Sequence, residues 1–413
     1  MTAVNVLINL SALVTGPLQA RLLGPHGRGE LALIMVVTSF APTIVGLGLG
    51  SFLAREISQS DRRGVLLGTV TALSIGLGLF GALWAYPVSR LLGRGREEVE
   101  MLLLVGLLLL PIGVAALNLQ GAYWGLERWW WFNVMRALPV FLVALAYVVL
   151  ALLDAFTVVS AALAVFVTAI VVQVGLAPLM RSTTGWGFDL KLAKRALAFG
   201  AKANAATLAS QGNTRVDQLL VATLVGAREL GFYVVAATLA TATLIVSQAL
   251  NYMVVPMVAS GDEQAVRRIL RMTLTLMMLA AIVLAAVAAP ATHLLFGARY
   301  EPSVDVARIL CFGSIFVAGK GIVGAALVGC GRPGEPAIVE VATFLVLIPA
   351  LVVIVPASGA QGAAAVVTLA AALGFAALVL RARTWLRGRL REYLVPTTAD
   401  VGWLVAACRR RWL

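Results

Sequence analysis

The sequence predicts an all-α polytopic membrane protein: about twelve transmembrane helices in two pseudo-symmetric six-helix lobes around a central cavity. Three observations carry that prediction. Of the 413 residues 61% are hydrophobic and only 12% charged, and the mean hydropathy is +0.96; soluble domains carry about 25% charged residues. Apolar stretches close to the ~20 residues needed to cross a bilayer recur along the whole chain. A glycine-bearing turn recurs at about half the chain length, and the helix before each copy carries a polar stripe.

Hydropathy marks twelve spans, at residues 3–22, 29–53, 64–89, 101–124, 134–153, 156–180, 197–225, 231–259, 272–290, 303–329, 336–356 and 360–380. The connections are short, and the longest polar one runs from Arg181 to Arg195. None can hold a folded domain of about 50 residues. The expected organisation is a lobe at 1–180, a cytoplasmic linker at 181–196, a lobe at 197–380 and a basic cytoplasmic tail at 381–413.

The net charge of +13 does not signal a nucleic-acid partner. It sits in short loops and in the tail, which is the distribution of a membrane protein with Lys- and Arg-rich cytoplasmic loops. With the N-terminus inside, 22 of the 32 basic residues fall on the cytoplasmic side and 8 outside; Arg215 and Lys320 lie within spans. Both termini are therefore expected in the cytoplasm. Lysine occurs only at 191, 194, 202 and 320, an arginine bias that suggests a GC-rich bacterial genome and hence a bacterial plasma membrane. The N-terminal stretch lacks the charged region of a leader and reads as a retained helix. The tail, with Arg381–Arg391, Trp385, Trp403 and Arg409–Arg411, reads as a segment on an anionic leaflet or as a solvated tail.

The repeat pairs Gly24-Pro25-His26-Gly27-Arg28-Gly29-Glu30 with Gly226-Ala227-Arg228-Glu229-Leu230-Gly231-Phe232. Gly24 matches Gly226 and Gly29 matches Gly231, both 202 residues apart. Each copy joins one long helix to the next. Repeated halves with a site between them are a mark of secondary transporters.

Span seven is the most informative chemically. Projected at 100° per residue, Asn204, Thr207, Ser210, Gln211, Asn213, Thr214, Arg215, Asp217 and Gln218 share one arc of about 200°. Polar groups within a span face a cavity or a neighbouring helix. Arg215 and Asp217, two apart, point in different directions and need partners elsewhere; Lys320 in span ten is one candidate for Asp217. Span one repeats the design with Asn5, Asn9, Ser11, Thr15 and Gln19. The charges expected around the cavity are Arg21, Arg28, Arg55, Arg215 and Lys320. Guanidinium groups grip phosphate bidentately, so an anionic cargo is expected. Arg21 and Arg55, at span ends, are equally suited to snorkelling. Glu340 in span eleven is a protonatable coupling group or a neutral buried acid.

Enzymatic signals are absent from the sequence. It has no GxxxxGK[ST] loop for ATP. His26, His293 and the scattered Cys311, Cys330 and Cys408 have no metal-ligand spacing. Trp129-Trp130-Trp131 reads as an interfacial anchor, and Asp154 as a loop residue.

Several segments together resemble one family. Arg21-Leu22-Leu23-Gly24-Pro25-His26-Gly27-Arg28-Gly29 resembles the RxLGPxGxG turn of polysaccharide flippases. Gly46-Leu47-Gly48-Leu49-Gly50 is similar to their glycine-rich second helix, and Gly121–Arg128 to their QGxxxGLxRF segment. Arg215-Val216-Asp217-Gln218-Leu219-Leu220 and Leu230-Gly231-Phe232-Tyr233 resemble the RxDxLLL and LGxYxxA pattern that opens the second half. The resemblance covers residues 1–260 and continues beyond them only as a helix count. The family belongs to the multidrug/oligosaccharidyl-lipid/polysaccharide superfamily, with lipid II flippases and multidrug exporters. It implies alternating access and export of a polyprenyl-pyrophosphate-linked oligosaccharide to the outer face of the membrane, without enzyme chemistry or a cofactor. Lipid II flippases carry essential cavity arginines, and Arg21, Arg55 and Arg215 occupy similar positions here. The substrate-binding set expected from residues and resemblance together is Arg21, Arg28, Arg55, Gln211, Arg215, Asp217, Gln218 and Lys320. Asp217 and Glu340 are the candidates for coupling to H⁺, Na⁺ or the membrane potential. The expected partners are the lipid-linked glycan and membrane lipids, then other polysaccharide assembly proteins. The rival readings are a cation-coupled multidrug exporter of the same superfamily and a membrane polysaccharide polymerase or glycosyltransferase. The cationic cavity opposes the first, and the lack of a large external loop opposes the second.

Overall fold

The computed structural model describes residues 2–176, 185–259 and 263–382. Residues 177–184, Arg181 of the linker among them, and the tail beyond Ala382 lie outside the described residues. Among the described residues the chain is helical, with short connections and no strand. The helices are α1 (Thr2–Val45), α2 (Leu49–Glu56), α3 (Arg63–Ala82), α4 (Ala85–Gly93), α5 (Glu97–Leu108), α6 (Leu110–Gly125), α7 (Trp129–Leu152), α8 (Val158–Val172), α9 (Leu190–Gly212), α10 (Val216–Leu224), α11 (Ala227–Ala259), α12 (Glu263–Leu295), α13 (Ser303–Gly329) and α14 (Gly334–Ala382).

Six of these, among the described residues, are individually long and apolar enough to span a membrane, and seven if the bent pair α5–α6 is one span. The twelve segments marked by hydropathy map onto the helices once two kinked helices are divided and four pairs are joined: the second part of α1 with α2, α3 with α4, α5 with α6, and α9 with α10. α1 is two helices joined at Gly24, and α14 is two joined at Gly359. α9 and α10 are one span interrupted at Asn213–Arg215. Large apolar side chains such as Phe80, Leu83, Leu145 and Leu152 are exposed, as suits helices whose solvent is hydrocarbon.

The repeated turn has a structural counterpart. Gly24 and Gly226 both take positive φ, 67° and 123°, a region that side chains with a Cβ avoid. Beyond the turns α1 and α11 cross in close contact. A Cβ on Gly29 would overlap the carbonyl oxygen of Ala227, and one on Gly231 would overlap the carbonyl oxygen of Pro25. Residues 25 and 227 are themselves 202 apart, so the two contacts exchange under the repeat. That is the reciprocal pattern of a two-fold-related pair.

The chain packs as two compact units, Met1–Val234 and Val235–Leu413. The core of the first is built from α2, α3, α6 and α7, around Phe52, Leu53, Leu67, Leu119, Tyr123 and Met135. α9 packs on α2 and α3, and α10 on α1, so the helices that open the second sequence half lie within this unit. In the second unit α13 lies closely along α14: a Cβ on Gly319 would meet the Phe375 ring, and one on Gly313 the Thr368 side chain. Small residues let helices approach where lipid gives no hydrophobic drive to associate.

Candidate functional site

The site forms in the first unit, where α1 ends at the elbow Gly46–Gly48 and α2 begins. α6 runs along α2 so closely that a Cβ on Gly121 would overlap the Gly50 carbonyl, and one on Gly125 the Ala54 carbonyl. Asn118, one turn earlier on the same face of α6, is buried. Its Oδ1 accepts the Gly50 N–H at 2.9 Å. Its Nδ2 donates to the Gly46 carbonyl at 3.3 Å and to Ser74 Oγ at 2.9 Å. The first turn of α2 has no cap from its own N-cap side chain, and Asn118 supplies one from a neighbouring helix. On the other side Asn204 of α9 donates to the Thr43 carbonyl at 3.2 Å, which ties α9 to the end of α1.

Between these helices lies a cavity of about 730 Å³. Its polar wall comprises Thr43, Ser51, Arg55, Asn118, Gln120, Arg136, Asn204, Thr207 and Gln211, and Trp124 and Phe132 add aromatic surface. Both arginines lie over aromatic rings. The Arg55 guanidinium is 5.4 Å from the Phe199 centroid, and that of Arg136 is 5.6 Å from Phe132. Among the described residues no lining residue is an acid. The cavity therefore presents two fixed cations, several neutral amides and hydroxyls, and no anion. The other side of the elbow is the opposite in character. Ile44, Val45 and Leu47 line a pocket of about 610 Å³ whose other walls, from α3, α4, α5 and α10, are almost wholly apolar.

Of the residues expected to bind cargo, the structure brings Arg55 and Gln211 together in the polar cavity. Arg215 is exposed at the break before α10 and lines a separate pocket of about 350 Å³ with Ser39 and Gln173. Arg21 is exposed and Arg28 buried, on either side of the Gly24 kink. Eighteen residues of helix separate Arg28 from Gly46, about 27 Å at 1.5 Å per residue. Asp217 is buried and accepts the Tyr233 hydroxyl and the Gln218 N–H; Gln218 is half-buried beside it. Lys320 of α13 lies 2.9 Å from Glu340 of α14. Asp217 and Lys320, weighed as partners from the sequence, thus each have another one.

Arg136, Asn118, Gln120 and Trp124 enter the site without having been singled out. One signal for them was present: the stripe Asn118, Gly121, Gly125 at helical spacing marks a polar and small face on a span. Arg136 carried none, because an arginine near a span end reads as a loop charge. The 100° projection of span seven fails beyond Gly212, where the helix breaks. Among the described residues no group of three or more His, Cys, Asp or Glu could hold a metal ion.

The sequence matches the family model "polysaccharide biosynthesis protein" over residues 18–305. No curated protein matches it significantly. Among solved structures it is similar to the lipid II flippase MurJ in an inward closed conformation, with 14% identity, 95% of this chain and 88% of that chain covered, and a TM-score of 0.80. It is also similar to an inward-facing multidrug resistance MATE family transporter of the MOP superfamily, with 16% identity, 92% and 94% covered, and a TM-score of 0.74. At these identities the likeness is one of fold.

Proposed function

The chain belongs to the polysaccharide biosynthesis protein family, and from that premise we propose that it flips a polyprenyl-diphosphate-linked oligosaccharide from the cytoplasmic to the outer face of a bacterial plasma membrane. Its multi-pass helical fold is that of MOP-superfamily transporters. The observation that carries the reading is the acid-free cavity with Arg55 and Arg136 in its wall. A diphosphate cannot cross hydrocarbon unaided, because transfer of a charged group out of water is prohibitive without compensating partners. Two guanidinium groups and the amides of Gln120, Asn204 and Gln211 replace its hydration with charge-assisted and neutral hydrogen bonds. The prenyl chain stays among lipid and the apolar pocket walls. A cationic drug would meet like charge here.

Arg21, Arg28 and Arg215, outside this cavity in the present conformation, are proposed to meet the cargo at other stages of alternating access. Asp217 and Glu340, both inside spans and both paired, are the groups proposed to couple transport to an ion gradient. The glycan delivered would pass to other polysaccharide assembly proteins.

Binding of polyprenyl-diphosphate-linked oligosaccharide to the full chain in lipid nanodiscs tests the reading. Arg55→Ala and Arg136→Ala should each weaken binding by about 10- to 100-fold, the equivalent of losing one charge-assisted contact of about 1.5–3 kcal/mol. Lysine at either position should restore part of the loss, keeping the charge but not the fork. Undiminished binding by the double variant Arg55→Ala/Arg136→Ala would refute the site.

A further inference from the structure

We infer that Trp124 is a carbohydrate platform, receiving the sugar joined directly to the diphosphate; this rests on the flippase reading above. Trp124 lies in the last turn of α6, and the residue is 55% exposed. A tryptophan at a helix end in a membrane protein is ordinarily an interfacial anchor among lipid headgroups. Trp124 instead shares a cavity wall with Gln120, Arg55, Arg136 and Gln211. Its orientation is fixed. The ring of buried Phe132 packs against it, the centroids 5.4 Å apart and the planes at 69°, and the glycines at 121 and 125 hold the helix beneath it against α2. The result is a rigid aromatic face in a polar cavity, flanked by side-chain amides and next to the two cations.

That combination suits one class of ligand. A pyranose presents a C–H face that stacks on an aromatic ring and a rim of hydroxyls that pair with planar amides. Rigid aromatics give such contact area at little conformational cost. The neighbouring guanidinium groups place the anion beside it, so the ligand is a sugar bearing a phosphate ester rather than a free sugar. The volume of about 730 Å³ falls in the range of about 300–1,000 Å³ typical of small-ligand sites. It admits the diphosphate with its first sugars and leaves the rest of a long glycan outside. Trp124 would then discriminate on the reducing-end sugar and tolerate variation beyond it.

Two probes separate the platform from the anion site: polyprenyl diphosphate, and the same lipid carrying one N-acetylhexosamine. Each is titrated against the full-length chain and its Trp124→Ala, Trp124→Leu and Trp124→Phe variants in nanodiscs. Trp124→Ala and Trp124→Leu should weaken the sugar-bearing probe by on the order of 10-fold. They should leave the sugarless lipid unchanged, and Trp124→Phe should retain most of the affinity. Leucine keeps bulk without the aromatic face, so its loss reports stacking rather than collapse of the cavity. Equal weakening of both probes, or no weakening of either, overturns the platform while the flippase reading stands. A wild-type chain that binds neither probe overturns both.

Discussion

Asn118→Ala is the substitution whose consequence follows most directly from the geometry. The side chain makes three hydrogen bonds, at 2.9 Å from Gly50 N–H, 3.3 Å to the Gly46 carbonyl and 2.9 Å to Ser74 Oγ. Each is worth about 0.6–1 kcal/mol within a membrane protein, so their joint loss costs about 2–3 kcal/mol. Ser74→Ala removes one of the three and should cost about 0.6–1 kcal/mol. The double variant should match Asn118→Ala alone, because the shared bond is already gone. Thermal unfolding in detergent, with the three variants side by side, ranks them. The cap also holds α2 against α6, so Asn118→Ala should weaken lipid-diphosphate binding, while Ser74→Ala should not. Additive losses in the double variant, or a Ser74→Ala loss as large as that of Asn118→Ala, would refute the assignment of the α2 cap to Asn118.

Glu340→Gln should strand the Lys320 ammonium inside a span and destabilise by on the order of 3 kcal/mol. Lys320→Met combined with Glu340→Gln should recover most of that loss in the same unfolding assay, and no recovery would mean that the pair is not what holds either residue. Gly29→Ala and Gly231→Ala should each cost about 1–3 kcal/mol by overpacking the crossing of α1 and α11; a neutral effect at one and a large effect at the other would break the reciprocity of the contact. Reporter fusions after Arg195 and Arg271 should read as cytoplasmic and one near Arg96 as external, and an external signal after Arg195 would invert the topology.

The helices were legible from sequence because a bilayer imposes one rule on them. Every span must satisfy its own backbone, and apolar length reports that directly. The turn at Gly24 was legible because a positive φ demands glycine, and its copy at Gly226 came with it. The site was legible only in part. Of the cavity's lining, Arg55 stands out in the sequence through the family resemblance and Gln211 through the polar stripe. Arg215 was grouped with them because span seven was projected as one continuous helix, whereas the helix breaks at Asn213–Arg215 and Arg215 lines a different pocket. Arg136 was missed for the converse reason. Its place in the cavity depends on α7 lying beside α6, which is a tertiary fact with no local signature.

The ring contacts of the two cavity arginines bear on the proposed anionic cargo. Three other arginines of the first unit pair with acids: Arg90 with Glu100 at 2.8 Å, Arg96 with Glu30 at 3.1 Å, Arg195 with Glu56 at 3.4 Å. The arginines in the cavity wall lie over Phe199 and Phe132. A ring holds a guanidinium in place at about 0.5–1 kcal/mol when exposed and leaves its edge donors pointing away from the ring. A carboxylate would hold it more firmly but would occupy those donors. A transporter needs the first arrangement, because cargo must displace water to enter and must leave again on the far side. Several moderate contacts satisfy both demands, where a single deep anion clamp would fail the second.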